Sequence, residues 1–344
     1  MKSSDRQEAY EQTNRQNRSD RKEKASHMEK LRYGILSTAS IVPRFVAALR
    51  ETGTGEAVAI ASRSAEKAAA KAAELGIEKS YGSYEALLCD DTLDVIYVAP
   101  INSEHYRYAK LALAHGRHVI SEKPFTLKSA EARELFALAK EKGKFIAEAQ
   151  KAVFLPVMQD IKALIASGAL GKIHFMDFTS SFSAVYNEWL HSAEAGGGAL
   201  YGNASYSLHL IKFLFGREIT AYSGLCTKGD SAVDEQCVVN LRVGRDMMAV
   251  SKISTNVLAV NGAAINGSLG RIEIPDYWKA RTATVYYASG ETVTLEYPCE
   301  HELVYELAHF NRCIGEGLLQ SPVMDEAMTV DTLEMMERLQ SSWV

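Results

Sequence analysis

The chain has 344 residues, 47% of them hydrophobic and 24% charged, and a net charge of -5. That length accommodates two domains, or one large α/β unit with an appended sheet, and the composition is that of a globular protein. The acidic balance argues against the basic face that non-specific nucleic-acid binding needs, and no apolar run is long enough to span a bilayer, so neither nucleic acid nor membrane is an expected partner.

Residues 1–27 are dense in Lys, Arg, Glu, Gln, Asn and Ser. They lack an apolar signal-peptide region and read as a disordered extension or tag ahead of Met28. Strand and helix signals then alternate. Leu31–Leu36 reads as a first strand, Val42–Leu49 as a helix, and Val58–Ala61 as a buried strand. Ala65–Leu75 is an alanine-rich helix closed by Gly76, followed by a strand at Val95–Val98. Tyr106–His115 is a helix ended by Gly116, His118–Ile120 a strand, Ala130–Lys142 a helix stopped by Gly143, and Phe145–Ala147 a strand. Apolar strands alternating with helices predict a parallel, doubly wound sheet covered on both faces.

Beyond about residue 155 the pattern changes. A helix at Ile161–Ala166 precedes segments that alternate by two: His174–Phe182, Cys237–Val243 and Met247–Thr255. Thr282–Tyr287 and Thr292–Leu295 flank Ala288-Ser289-Gly290-Glu291 as a hairpin, and helices at Leu303–Gly315 and Asp325–Gln340 end the chain. This predicts a second unit with an antiparallel sheet, dividing the chain into residues 28–150 and 151–344. The last helix offers Met328, Leu333, Met336 and Leu339 for packing back on the body. Five cysteines are scattered without a C-x-x-C pair, which predicts a reducing, cytoplasmic setting and no metal site.

After the first strand, Ser37-Thr38-Ala39-Ser40-Ile41-Val42 stands where a glycine-rich dinucleotide loop is expected, with Ser37, Ala39 and Val42 in the glycine places. Small residues at Ser37 and Ala39 still allow close approach of a phosphate, and the hydroxyls add donors. A polar strand-to-helix turn with no ligand is the alternative. The second strand ends Ser62-Arg63-Ser64, with Lys67 a turn later and no acid, which favours NADP(H) over NAD(H), though NAD(H) stays open. Ser121-Glu122-Lys123-Pro124 follows the apolar strand at the sheet edge where such folds bind ligands.

In sequence order, Tyr81-Gly82-Ser83-Tyr84, Asp94–Pro100 leading to Asn102 and His105, Ala114–Pro124, and Gly196-Gly197-Gly198-Ala199-Leu200 together resemble the Gfo/Idh/MocA family of oxidoreductases, from about Arg32 to the end. The resemblance implies a Rossmann-type domain, a second domain with an open, mainly antiparallel sheet, NAD(P)-dependent chemistry on sugars, polyols or related alcohols and ketones, and a homodimer or homotetramer formed through the sheet's outer face. It implies that Lys123 is catalytic and preceded to Pro124 by an often cis peptide, that Glu122 binds the nicotinamide side, and that Ala99, Pro100, Asn102 and His105 line the cofactor site. Ile101 stands where the family often has proline, and Val153 where relatives often carry arginine.

The usual aspartate after the glycine triplet is Gly202 here, while Tyr206 occupies the following histidine-or-tyrosine position, as in the dihydrodiol dehydrogenase branch. Tyr206 would exchange the proton if Lys123 lowers its pKa. His209 either fills the aspartate's place or packs within its helix. Trp189 and His191 are candidates to line a substrate pocket, and Trp278 is a weaker one. Two functional readings follow: an NADP(H)-dependent oxidoreductase of carbinol carbons, or a catalytically silent nucleotide- or sugar-sensing regulator, favoured by the absent glycines and aspartate.

Overall fold

Five short apolar runs in the first half, buried over most of their length, form one parallel sheet with a short polar edge strand, and a helix connects each strand to the next. The strands are β1 (Leu31–Leu36), β2 (Gly55–Ala61), β3 (Lys79–Tyr81), β4 (Val95–Val98), β5 (His118–Ser121) and β6 (Ile146–Glu148), ordered β3-β2-β1-β4-β5-β6. The computed structural model describes residues 29–183, 188–216, 219–229 and 232–343. The extension read at residues 1–27 lies outside the described residues. Helices α1 (Val42–Thr52), α2 (Ala65–Leu75), α3 (Tyr84–Leu88), α4 (His105–Ala114) and α5 (Ser129–Lys142) connect the strands. Gly76 and Gly143 close α2 and α5 in left-handed conformation, as their positions after the last apolar residue predict.

The second sheet contains β7 (Ile173–Ser181), β8 (Ile219–Thr227), β9 (Gln236–Val243), β10 (Met247–Ser254), β11 (Gly262–Gly267), β12 (Gly270–Pro275), β13 (Thr282–Tyr287) and β14 (Thr292–Glu296). Its order is β14-β13-β12-β11-β7-β10-β9-β8, antiparallel throughout except for the parallel pair β7 and β10. In β9 exposed and buried residues alternate without exception, the signature of a sheet covered on one face only. Helix α7 (Ala199–Phe215) covers that face and is buried from Ala199 to Leu214 between the sheet, α6 (Pro156–Ala166) and α9 (Glu326–Ser342).

The chain's end returns to the first sheet's layer. Helix α8 (Val304–Gly315) packs on α1, where Asn311 accepts from the Tyr33 hydroxyl; α9 packs on α5, where Ser129 Oγ donates to Glu337 Oε2 at 2.6 Å. One hydrophobic core accordingly runs from Phe45 and Tyr97 in the first sheet's layer to Ile265 and Val285 in the second sheet. Among the described residues no helix is long and apolar enough to cross a membrane.

Candidate active site

At β1 and β4 the strand order reverses, and connections leave the sheet in opposite directions. A cleft follows from that topology. It has a volume of about 1020 Å³ and extends from the turn after β1 to Trp278 beside the second sheet.

The turn after β1, Ser37 to Ile41, forms one end of the cleft. Ser37 holds φ at 143°, a conformation glycine favours, in the place where the first glycine of a dinucleotide loop is expected. Its Oγ accepts the Ala39 N–H at 2.9 Å, which gives the turn a local fastening that glycine lacks. No side chain caps the first turn of α1. Small side chains, hydroxyls and an uncapped helix start are the donor set a pyrophosphate needs, so these residues fit a nicotinamide dinucleotide. At the end of β2, Ser62, Arg63, Ser64 and Lys67 line the same cavity. Ser64 Oγ caps α2 by accepting the Lys67 N–H at 3.2 Å and donates to Glu66 Oε2 at 2.6 Å, which turns this carboxylate aside and leaves the two cations on the cavity.

The floor is the turn after β5. Glu122 is held by the Tyr97 hydroxyl, which donates to Oε1 at 2.6 Å, and Tyr97 is itself buried and stacked on Phe45. The Lys123–Pro124 peptide is cis. Lys123 Nζ donates to the backbone carbonyl of Gly202 at 2.6 Å and lies 5.0 Å from the centroid of the Tyr206 ring. Burial lowers its pKa to about 8; Glu122 pulls upward, Lys151 downward and Glu148 upward against that. Pro100, Asn102 and His105 also line the cleft. Asn102 donates to Gly196 O at 2.8 Å, joining the first sheet's loop to the glycine triplet. Burial keeps the His105 pKa low, and a neutral ring has one N–H to give. The shorter approach, Nδ1 to Pro124 O at 2.8 Å against Nε2 to Pro100 O at 3.3 Å, ties that ring to the turn carrying Lys123.

The far wall comes from the second half of the chain. Trp189, Gly202, Asn203, Tyr206 and Trp278 face the cavity. The Trp278 ring lies 6.3 Å from the Tyr206 ring, centroid to centroid, so a residue rated weakest in the sequence belongs to this wall. Lys151 and Glu306 are further lining residues that pattern reading missed. Lys151 follows the last strand of the first sheet and Glu306 lies in the helix near the chain's end, and only the tertiary arrangement brings both to the cleft.

Three expectations are corrected. His209 is 1% exposed and does not line the cavity; it pairs with the Gln150 side chain at 2.9 Å, its Nε2 lies 3.7 Å from Glu148, and burial lowers its pKa to about 3. The Gly202 carbonyl, rather than a neighbouring histidine, meets Lys123. His191 ends a short helical turn beside Trp189 and is absent from the cavity lining. Tyr206 does not have its pKa lowered: burial, reinforced by Glu122 and Glu306, raises it well above 10, and Lys123 is the member of the pair that titrates closer to neutrality. Val153 is fully buried in the core, so that position lends the cavity no side chain.

Comparison with known proteins agrees with this architecture. Residues 31–150 match the family described as "Oxidoreductase family, NAD-binding Rossmann fold", and residues 158–273 match the Gfo/Idh/MocA C-terminal domain. The trans-1,2-dihydrobenzene-1,2-diol dehydrogenase of Xenopus laevis is 32% identical over 315 residues, covering 86% of this chain and 93% of that protein. The Homo sapiens protein of the same name is 27% identical over 319 residues, covering 88% and 95%. Among solved structures, the 3-ketoreductase KijD10 from Actinomadura kijaniata in complex with NADP and TDP-benzene superposes with a TM-score of 0.84 at 20% identity, covering 92% of this chain and 98% of that one. Levoglucosan dehydrogenase in complex with NADH and levoglucosan gives 0.82 at 20% identity, covering 91% and 97%. The chain belongs to the Gfo/Idh/MocA family of oxidoreductases. It is an NAD(P)-dependent dehydrogenase or reductase acting on CH–OH groups.

Proposed function

We propose that the protein interconverts a carbinol and a carbonyl in a sugar, polyol or trans-dihydrodiol, with NADP(H) preferred over NAD(H). The observation that carries this reading is Lys123, a half-buried ammonium on the cleft floor beside Tyr206, with a pKa lowered to about 8. When bound, the nicotinamide supplies or accepts the hydride. In oxidation, neutral Lys123 accepts the carbinol proton; in reduction, the ammonium returns it. Tyr206 keeps its own proton throughout and donates a hydrogen bond to the substrate oxygen, stabilising the charge that develops there. Glu122, fixed by Tyr97, raises the affinity of Lys123 for its proton. Trp189 and Trp278 exclude water from the reacting carbon.

The nucleotide is assigned to residues 28–150 and the substrate to 151–344. Arg63 and Lys67 line the cavity at the end of β2, where Glu66 between them in sequence is held by Ser64, and these two cations favour a 2′-phosphate on the ribose. A homodimer or homotetramer through the outer face of the second sheet is supported by exposed Phe175 beside Met248 and Leu225 beside Val238. Light scattering tests this: a mass equal to one chain overturns it. Five free cysteines fit the reducing conditions of the cytoplasm.

The functional test is the near-ultraviolet absorbance change with each cofactor across aldoses, polyols, dihydrodiols and diketones, with Lys123→Ala as the blank. Turnover with NADP(H) that drops about 10²–10⁴-fold in Lys123→Ala is the expected result. Arg63→Ala should narrow the preference for NADP(H) over NAD(H). Silence across the panel with tight NADPH binding would favour a sensing role.

A further inference from the structure

We propose that Lys151 is a specificity residue whose ammonium takes a second oxygen of the substrate, so that the site selects vicinal diols and their hydroxyketones over simple alcohols. This assignment rests on the carbinol reading above and names the residue that recognises the second oxygen of those substrates.

Lys151 begins the helical turn Lys151–Phe154 after β6. The next residues, Ala152 and Val153, are fully buried in the core, whereas Lys151 is 6% exposed and lines the cleft. Its Nζ lies 5.9 Å from the Tyr206 ring centroid, and that of Lys123 lies 5.0 Å from the same centroid. Two ammonium groups therefore attend one phenol ring. Like charges in a poorly hydrated site repel, and each needs an acceptor to offset that repulsion. Lys123 has the Gly202 carbonyl and the reacting oxygen. Lys151 has Glu302, at 3.3 Å, which is also engaged by Arg44 and lies 3.9 Å from Arg281.

That anchoring fixes where Lys151 points. An ammonium carries three donors. Glu302 accounts for one direction and leaves the ammonium able to donate into the cleft. The acceptor it suits is a neutral oxygen. Lys151 is already paired with a carboxylate, and Glu306, 2% exposed, also borders the cleft. A carboxylate on the substrate would compete with Glu302 for the ammonium; a hydroxyl or carbonyl adds no charge.

The test is calorimetric binding of trans-cyclohexane-1,2-diol and of cyclohexanol to the full chain saturated with NADP⁺. The diol should bind about tenfold more tightly, the return of one hydrogen bond to a charged group. Lys151→Met should bring the ratio close to one, and Lys151→Arg, which keeps the charge and the pairing with Glu302, should retain it. No diol preference in the unaltered protein, or an unchanged preference in Lys151→Met, overturns the assignment. Loss of both ligands in Lys151→Met and Lys151→Arg alike also overturns it, because Lys151 would then be structural. A diol preference lost in Lys151→Met without turnover on any of the proposed substrates would support this assignment and defeat the substrate classes and the proton transfer proposed above for Lys123.

Discussion

Lys123 stands among groups that pull its proton in opposite directions. Burial lowers its pKa from 10.5 to about 8, Glu122 and Glu148 oppose the drop, and Lys151 adds to it. In the oxidation direction the neutral amine is the active form, so kcat/KM should rise with pH to a plateau with a midpoint of about 8. Reduction requires the ammonium and should fall through the same midpoint. Gly202→Asp tests the electrostatics. A Cβ at Gly202 meets only Leu190 and Phe182, both at 3.8 Å, so the substitution fits without displacing backbone. A carboxylate beside the ammonium favours the charged form, and the midpoint should move upward by about one unit or more. A pH–rate profile with an unmoved or lowered midpoint would refute this account. Lys123, Glu122 and Tyr206 were legible because they match motif positions of the family the sequence resembles, the first two at the end of an apolar strand. The sequence could not show which of Lys123 and Tyr206 titrates near neutrality, because burial depends on what the far wall places over them. Lys151 and Glu306 were hidden for the same reason.

At the start of α7, the element that carries Gly202 and Tyr206, the glycine triplet answers to contacts made far along the chain. A Cβ at Gly197 would lie 2.3 Å from the Leu190 carbonyl oxygen, and Gly198, at φ 106°, faces Asp234. Asp234 accepts the Leu200 N–H on Oδ2 at 2.7 Å, and its backbone carbonyl accepts the Ala199 N–H at 2.7 Å. It thus supplies the side-chain cap that Gly198 cannot. Asp234→Ala should cost about 1–2 kcal/mol in denaturant unfolding and reduce turnover by loosening Tyr206, with Asp234→Asn losing less. An unchanged unfolding midpoint in Asp234→Ala would show that the cap contributes nothing. This contact was illegible in sequence because it joins residues 34 apart. The first sheet was the easier part to read: its strands are continuous apolar runs and its helices stop at Gly76 and Gly143. Three strands of the second sheet were missed. Edge strand β8 is half-buried on the face that carries Tyr222, Gly224 and Cys226 and exposed on the other, but a small residue and a glycine on the covered face and Leu225 on the open one hide that alternation in the sequence; β11 and β12 contain Gly262, Gly267 and Gly270, which weaken the strand signal. At Gly267 a Cβ would lie 2.2 Å from the Leu170 carbonyl oxygen, so close packing of backbone decides the residue there.

The whole molecule buries ionisable groups of both kinds, and their opposed titrations set where it is most stable. Burial raises Glu148 from 4.5 to about 8, so the folded state holds a proton that the unfolded chain has released. Its contribution is fully present below about pH 4.5 and is lost as pH rises toward 8. Glu306 acts in the same sense, its pKa raised by burial and by Glu122. Buried histidines act oppositely. His209 falls from 6.5 to about 3, and His118 and His309 fall to about 4, each led by desolvation. The unfolded chain takes up their protons first, so their contribution is present above about pH 6.5 and is lost as pH falls toward 3 to 4. The two sets overlap only in a narrow range, and stability should peak near pH 5–6.5, within the interval those shifts bound. Thermal unfolding of the full chain at constant ionic strength from pH 4 to pH 9 checks the shape. Glu148→Gln, which stays neutral at every pH, should flatten the alkaline limb while leaving the acid limb in place. A melting temperature that climbs steadily from pH 6 to pH 9 would contradict the neutral state of the buried acids, and with it the electrostatic setting assigned to Lys123.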